Sequence, residues 1–266
     1  MDNMQKIPVF FTFDANYLLA AKVAIHSMMK HASRQYWYEL YVFHTTLSPK
    51  AQQSLRNSLK EFTHTELHFI DVTQYNEKIK NFGTKAHYSK EIFYKLIATD
   101  VLPQYDRIIC SDVDVVFTGD FSPVFFMFPN EKFYYAGVGP VENSRMPYYR
   151  KDFSTTEMEI LEHEIAAGFL LINLKELRND HKQEEIINFY VNNYPRLRLP
   201  EQDCIILTCW PYIKYLPIDY SLPISFYRLN MNQRDFYQGN TEFAGDKATA
   251  LAKFNKGLAH PVQIIG

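Results

Sequence analysis

The chain is poor in cysteine, and this scarcity excludes two kinds of scaffold. Its three cysteines are Cys110, Cys204 and Cys209, an odd number with no Cys-x-x-Cys pair among them. A zinc ribbon needs such pairs, and a disulfide framework needs an even set, so neither is expected. The cysteine content therefore favours a protein of a reducing compartment.

The chain also lacks strong net charge, long apolar runs and an apolar leader. A formal net charge of −2 gives no electrostatic basis for a nucleic-acid partner. The most apolar stretches, residues 121–129 and 165–174, are far shorter than a membrane span. No basic and then apolar segment opens the sequence, which argues against a signal peptide. We expect a soluble, cytosolic protein, and peripheral contact with the inner face of a membrane stays open.

What is present is an ordinary globular composition with alternating strand and helix patterns. The 266 residues are 47% apolar and 22% charged, which excludes a disordered chain. In the first half, strands are predicted at residues 7–13, 38–43 and 65–70, and helices at 16–30, 48–62 and 90–101. In the second half, strands are predicted at 133–138 and 165–174, helices at 175–193 and 201–209, and loops across 210–240.

This alternation predicts an α/β fold with a mainly parallel sheet. The length suits one domain over residues 1–266. We expect a nucleotide-binding half of about residues 1–120 and an acceptor-binding half of about residues 121–266.

The run from Tyr105 to Asp114 places two carboxylates at the end of an apolar strand. Side chains two apart on a strand share a face, so Asp112 and Asp114 point the same way if strand geometry persists. Two like charges side by side are unfavourable unless a cation lies between them, and hard divalent cations also bind phosphate oxygens. The pair predicts a metal–diphosphate site and hence a nucleotide-linked substrate, although an isolated Asp-x-Asp is often only solvated or capping.

A second polar group follows another predicted strand. Asp14 and Asn16 come directly after residues 7–13. Because open parallel sheets bind ligands beyond the carboxyl ends of their strands, these residues could meet Asp112 and Asp114 in one crevice. The alternative is that Asp14 or Asn16 caps the helix that follows.

Five segments together resemble glycosyltransferase family 8, the group that includes bacterial lipopolysaccharide galactosyl- and glucosyltransferases and glycogenin. They are residues 11–17, 93–96, 109–114, 166–174 and 201–203, in the family's order and spacing. The resemblance implies a Rossmann-like nucleotide-diphospho-sugar transferase fold of the GT-A type, with a mixed, mainly parallel central sheet flanked by helices. It also implies a UDP-sugar donor and Mn²⁺ or Mg²⁺ as cofactor, held by Asp112 and Asp114 on either side of Val113.

The resemblance assigns roles to residues of the first half. It places Thr12, Asp14 and Asn16 in the uracil and ribose pocket, and Lys95 near the donor diphosphate or sugar. The residues alone favour a different role for Lys95, that of an exposed helical lysine paired with Glu91 four residues earlier.

In the second half, the family pattern Asn-Ala-Gly corresponds here to Ala166, Ala167 and Gly168. These small residues permit close approach of backbone to a ligand, but Ala166 loses a hydrogen bond to the donor sugar. Gln202, in the run Glu201-Gln202-Asp203, corresponds to the residue that the family places beneath the anomeric carbon. The expected role of Gln202 is positioning and charge stabilisation of an oxocarbenium-like transition state, and the alternative for the trio is an acidic helix start.

The C-terminal segment departs from the family, which has a metal-binding His and a diphosphate-binding Lys there. Residues 259–266 lack the His at its expected place and the Lys-Pro-Trp run. Either the chain is truncated, or Asp112, Asp114 and water hold the ion; His260 is a third possibility.

The resemblance as a whole implies a retaining hexosyltransferase. It would transfer glucose or galactose from UDP to a hydroxyl of a glycan or lipid-linked glycan, as a step of lipopolysaccharide biosynthesis. Gln202, Asp112 and Lys95 would take part in catalysis. Two alternatives stay open: a non-catalytic nucleotide-sugar binding protein and a glycoside hydrolase, which needs two carboxylates across a cleft.

Overall fold

The computed structural model describes residues 4–80, 89–139, 151–221 and 263–265. The strands in these ranges are β1 (Lys6–Thr12), β2 (Trp37–His44), β3 (Thr65–Asp71), β4 (Ile108–Ser111), β5 (Val116–Phe117), β6 (Tyr135–Val138), β7 (Phe169–Ile172), β8 (Ile213–Leu216) and β9 (Ile264–Ile265). The α-helices are α1 (Leu18–His31), α2 (Pro49–Ser58), α3 (Asn76–Ile79), α4 (Ala98–Val101), α5 (Thr155–Leu161), α6 (Leu174–Asn179), α7 (Lys182–Asn193) and α8 (Pro200–Cys209). Short 3₁₀ helices lie at Ala15–Tyr17, Thr73–Tyr75, Lys90–Ile97, Ser122–Phe126 and Ile218–Tyr220.

A seven-stranded sheet in the order β3-β2-β1-β4-β7-β6-β8 forms the centre of the described structure. Strands β1 to β4 pair in parallel, β7 runs antiparallel to β4 and β6, and β8 runs parallel to β6. The sheet thus takes strands from both sides of residue 120. This arrangement confirms the predicted mixed, mainly parallel sheet flanked by helices.

The central strands are buried on both faces, which explains why their sequences are almost continuously apolar. In β1, Ile7, Val9 and Phe11 pack in one core and Phe10 packs in the other. The first core lies under α1 and α2, and the second lies under α7 and α8. Because both faces are covered, ligands can approach this sheet at its edges and strand ends, of which the carboxyl ends are the usual site.

Several predicted elements differ from the structure. The predicted helix at 175–193 is wrong as a single element, because the chain breaks at His181, whose φ of 51° is left-handed. The helix predicted at 90–101 is a 3₁₀ helix followed by α4. The loop predicted at 210–240 contains β8, and its residues from 222 onward lie outside the described ranges.

The strand predicted at 165–174 is shorter than expected, since only Phe169–Ile172 pairs with neighbours. Before it, Ala166 still donates to the carbonyl oxygen of Val138 in β6, whereas the N–H of Ala167 bonds to Gln202 in the first turn of α8. Among the described residues, no helix has the length and apolar character required to cross a membrane.

Candidate active site

The candidate site lies where β1 and β4, neighbours in the sheet, reach their carboxyl ends. β1 ends at Thr12 and β4 ends at Ser111. The backbone N–H of Asp112 donates to the carbonyl oxygen of Gly168 at 2.8 Å. This bond fixes Asp112 directly against the segment that precedes β7.

The strand geometry expected for the two aspartates does not persist, because β4 ends before Asp112. Asp112 is half-buried, Val113 is buried and Asp114 is exposed. Both aspartates nevertheless line one small cavity of about 170 Å³. Its lining residues are Thr12, Phe13, Tyr17, Ser89, Ile92, Asp112, Val113, Asp114 and Glu201.

Carboxylate oxygens are the ligands that Mg²⁺ and Mn²⁺ prefer, so the chemistry of Asp112 and Asp114 suits such a cation. Within the described ranges, however, no group of three or more His, Cys, Asp or Glu side chains could hold a metal ion. Any further ligands would then come from donor oxygens, from water or from residues outside those ranges. His260 lies outside them, so its role as a third ligand stays a prediction.

Asp112 is held by a buried lysine. Lys95, in the 3₁₀ helix Lys90–Ile97, is only 2% exposed, and its Nζ lies 2.7 Å from Asp112 Oδ1. The same nitrogen lies 3.2 Å from Glu201 Oε1 and donates to the carbonyl oxygen of Ala167 at 3.1 Å. The alternative that the spacing alone favours, an exposed Lys95 paired with Glu91, is therefore wrong.

Burial and charge act in opposite directions on this pair. Burial disfavours the charge of Lys95, but Asp112 and Glu201 outweigh it and raise the pKa of the ammonium group above its usual value. Burial also raises the pKa of Asp112 to about 6, although Lys95 opposes that rise. The lysine is thus a fixed positive charge beside Asp112 and Glu201, two residues that line the cavity.

The first turn of α8 brings the run Glu201-Gln202-Asp203 to the same place, and all three residues are buried. Gln202 Oε1 accepts from the backbone N–H of Ala167 at 3.0 Å. Gln202 Nε2 and Glu201 Oε2 are buried with no hydrogen-bond partner among the described residues. Buried polar atoms are rarely left so, and each marks a place where a ligand or water can bind.

Asp203 has a structural role instead. Its Oδ2 accepts from the backbone N–H groups of Arg198 and Leu199 at 2.5 and 3.0 Å. Leu199 is the N-cap of α8 and Arg198 precedes it, so the carboxylate bonds back to the backbone at the start of the helix. The acidic helix start expected as the alternative for the trio therefore describes Asp203, whereas Glu201 and Gln202 reach the site.

The small residues before β7 make the close approach that their size permits. A Cβ atom added at Gly168 would lie 3.3 Å from Asp112 Oδ2. Both backbone polar groups of Ala167 are occupied, its N–H by Gln202 and its carbonyl oxygen by Lys95. Ala167 therefore joins these two side chains rather than offering a free backbone group.

Asp14 and Asn16 line a different, larger cavity of about 570 Å³. Asp14 Oδ1 accepts from the backbone N–H of Asn16 at 2.8 Å, so Asp14 caps the 3₁₀ helix Ala15–Tyr17 rather than α1. Ser89 lines both cavities, which places them next to each other. The expected roles of Thr12, Asp14 and Asn16 in nucleoside binding stay predictions.

Five lining residues were not assigned a role from the sequence: Phe13, Tyr17, Ser89, Ile92 and Glu201. Glu201 lay within a matched segment, where only an acidic helix start was expected of it. Tyr17 closes the segment 11–17, and 40% of its surface is exposed at the smaller cavity. An aromatic residue just beyond a strand end was the available signal for Tyr17.

The fold and these cavities define an α/β protein with its ligand site beyond the carboxyl ends of parallel strands. The sequence model of glycosyl transferase family 8 matches residues 8–244. The chain belongs to that family. It is accordingly an enzyme, and the predicted class, hexosyltransferase, is confirmed.

Solved structures with the same fold are also glycosyltransferases. The bifunctional glycosyltransferase WbbM aligns with 98% of this chain at a TM-score of 0.71 and 18% identity, and the alignment covers 45% of WbbM. LgtC, a galactosyltransferase solved with donor and acceptor sugar analogues, aligns with 97% of this chain and 86% of its own, at a TM-score of 0.71 and 16% identity. Mouse xyloside xylosyltransferase 1 aligns over 98% of this chain and 97% of its own length, at a TM-score of 0.65 and 15% identity.

These identities are low, so the likenesses establish the GT-A fold alone. A search of curated proteins finds no significant match.

Proposed function

We propose that this glycosyltransferase moves a hexose from UDP-glucose or UDP-galactose to a hydroxyl of a glycan or lipid-linked glycan. The reaction is metal-dependent and retains the configuration of the anomeric carbon. Retention, the uridine nucleotide and the acceptor class are supported by the family resemblance. The metal dependence and the sugar subsite are supported by the geometry of the smaller cavity.

One observation carries the proposal. The carboxylates of Asp112 and Asp114 line the same cavity as Glu201, whose Oε2 is buried without a partner among the described residues. Beside Glu201 lies Gln202, whose Nε2 also lacks a partner there. The site thus combines acidic groups suited to a cation with one unpaired acceptor and one unpaired donor.

The aspartates account for the diphosphate end of the donor. Asp112 and Asp114 would hold Mn²⁺ or Mg²⁺. Phosphate oxygens and water are suitable ligands for the remaining coordination positions of such a cation. A cation held there would supply positive charge beside the leaving diphosphate, and no acidic side chain would then need to protonate it. Val113 lies between the two ligands and contributes to the wall of the cavity.

The unpaired atoms account for the sugar end. A hydroxyl group can donate to one neighbour and accept from another, and a hexose carries several such groups. Glu201 Oε2 can accept from a hydroxyl, and Gln202 Nε2 can donate to one. A ligand without hydroxyl or similar groups would leave both protein atoms unsatisfied, which costs about 1–3 kcal/mol each, or more for the carboxylate.

Thermal unfolding with UDP, UDP-glucose and UDP-galactose, each with Mn²⁺ or with EDTA, tests the proposal. A ligand at a hundred times its Kd stabilises the native state by about 2.7 kcal/mol. At about 2–4 °C per kcal/mol, the Tm should rise by about 5–11 °C with Mn²⁺ and much less with EDTA.

The variants Asp112→Asn and Asp114→Asn should remove the Mn²⁺-dependent part of the shift. Asp100→Asn, which changes an exposed aspartate of α4, is the matched control and should keep it. An unchanged shift in both site variants, or no shift with any of the three ligands, would overturn the proposed donor site. Release of UDP from the intact sugar nucleotides then measures turnover and identifies the hexose.

A further inference from the structure

Lys95 has no N–H group left for a ligand. A lysine ammonium group has three donors and no acceptor. Its Nζ lies 2.7 Å from Asp112 Oδ1, 3.1 Å from the carbonyl oxygen of Ala167 and 3.2 Å from Glu201 Oε1. These three acceptors match the three donors in number.

The acceptors belong to three separate parts of the fold. Asp112 follows β4, Ala167 precedes β7, and Glu201 lies in the first turn of α8. In sequence, Lys95 is 72 residues from Ala167 and 106 from Glu201. One nitrogen thus fixes the relative position of three segments, two of which, at Asp112 and Glu201, line the cavity.

Burial makes this arrangement costly to alter. Lys95 is 2% exposed, and the side chain of Glu201 is 9% exposed. If the ammonium group turned away from Glu201 or the carbonyl oxygen of Ala167 towards a phosphate, it would leave a buried acceptor without this partner. Lys95 is also absent from the lining of the smaller cavity, whereas Asp112 and Glu201 are part of it.

We propose that Lys95 is a positioning residue that holds Asp112 and Glu201 in place, and that it does not bind the donor diphosphate itself. This inference rests on the proposed function, because it concerns the same donor site. Lys95 acts through the carboxylates. Without its charge, Asp112 and Glu201 repel each other, and Asp112 moves away from the orientation that a cation needs.

A double-mutant cycle separates positioning from direct binding. UDP is titrated by calorimetry in the presence of Mn²⁺ into the full chain and the variants Lys95→Met, Glu201→Gln and the double variant. UDP carries no hexose, so a contact of Glu201 with a transferred hexose does not enter the result. Lys50→Met, which changes an exposed lysine in the first turn of α2, is the control.

Positioning predicts strong coupling between the two sites. Lys95→Met should weaken UDP binding at least tenfold, and Glu201→Gln should change it less than threefold. The double variant should bind UDP more tightly than Lys95→Met, because the repulsion between the carboxylates is gone. Lys50→Met should bind UDP like the unmodified protein.

Lys95→Arg provides an independent measurement if Lys95→Met fails to fold. A planar guanidinium group cannot place its donors around one point, as the three acceptors require, so UDP affinity should fall at least tenfold. A direct diphosphate ligand would give the opposite result, because arginine binds phosphate well. Melting curves of each variant report whether it is folded.

The outcomes are distinguishable. If the unmodified protein shows no Mn²⁺-dependent binding of UDP, the proposed function is wrong and the role of Lys95 falls with it. If that binding is present but the double variant is no tighter than Lys95→Met, or Lys95→Arg keeps its affinity, the positioning role alone is wrong.

Discussion

The first turn of α8 depends on one buried carboxylate, and removing it provides a sharp test of the site's architecture. Asp203 is fully buried, and its Oδ2 accepts from the backbone N–H groups of Arg198 and Leu199. These bonds fix the turn that presents Glu201 and Gln202. The variants Asp203→Ala and Asp203→Asn separate loss of the acceptor from loss of the charge.

The expected loss of unfolding free energy in each variant follows from these two hydrogen bonds. A hydrogen bond to a charged acceptor contributes about 1.5–3 kcal/mol, and the donors here are only partly buried, so Asp203→Ala should cost about 2–5 kcal/mol. Asp203→Asn keeps an oxygen acceptor but loses the charge, which also interacts favourably with the helix N-terminus, so it should cost about 1–2 kcal/mol. At about 2–4 °C per kcal/mol, the Tm should fall by about 4–20 °C and 2–8 °C respectively.

Urea unfolding at constant pH measures the two free energies of unfolding, and an unchanged m-value would show that compactness is preserved. Asp100→Asn, at an exposed position, should stay within about 0.5 kcal/mol of the unmodified protein. If Asp203→Ala is as stable as this control, or if Asp203→Asn lowers the free energy of unfolding more than Asp203→Ala does, the stabilising role of the two hydrogen bonds is refuted.

Three further predictions concern stability. Gly137→Ala should destabilise the protein by about 1–3 kcal/mol in urea unfolding, because its Cβ would lie 2.9 Å from the carbonyl oxygen of Ala166; equal stability would contradict this close packing. Glu157 accepts a hydrogen bond from Arg196 that lowers the pKa of its carboxyl group. The contribution of ionised Glu157 to protein stability is therefore complete above the pKa of the unfolded state, about 4.3, and is lost as the pH falls through the lower pKa of the folded state. The stability difference between Glu157→Gln and the unmodified protein should accordingly vanish in strongly acidic buffer. Gln202→Met should cost about 1–3 kcal/mol, because a buried backbone N–H loses its acceptor; a thermal melt like that of the unmodified protein would refute the bond.

The strands of the first half could be predicted because β1 and β2 are short, mostly apolar runs and β3 alternates polar and apolar residues. β1, β2 and β3 begin and end within one residue of the predicted bounds. β8 was missed, since it is short, lies at the edge of the sheet and has only its two end residues buried. Apolar content alone does not distinguish such a strand from a loop.

The segment before β7 shows a different limit. Residues 165–174 form a continuous apolar run, yet β7 begins only at Phe169. The N–H of Ala167 bonds to a side chain, its carbonyl oxygen accepts from Lys95, and the carbonyl oxygen of Gly168 accepts from Asp112. Irregular backbone can be as buried as a strand when side chains satisfy its polar groups. These partners are distant in sequence, so the pattern could not reveal them.

Lys95 illustrates the same point for a side chain. Its spacing from Glu91 matched a helical ion pair, which is a local rule, but its actual partners lie far away in sequence. A lysine is almost never buried unless it is paired. Only the fold brings Asp112 and Glu201 to it, so the resemblance could indicate that Lys95 belongs to the site but not how it acts.

The orientation of the Gln202 amide bears on how charge is handled in the proposed reaction. A backbone N–H must donate, so the atom that accepts from Ala167 is the amide oxygen, and the free end is the NH₂ group. An N–H group can donate to an oxygen atom of the substrate, but it does not stabilise positive charge on a sugar. The hydrogen bond to Ala167 therefore supports a positioning role for Gln202 rather than charge stabilisation. Negative charge beside it is carried by Glu201 and Asp112. Stabilisation of an oxocarbenium-like transition state would then fall to these carboxylates, and their orientation depends on Lys95.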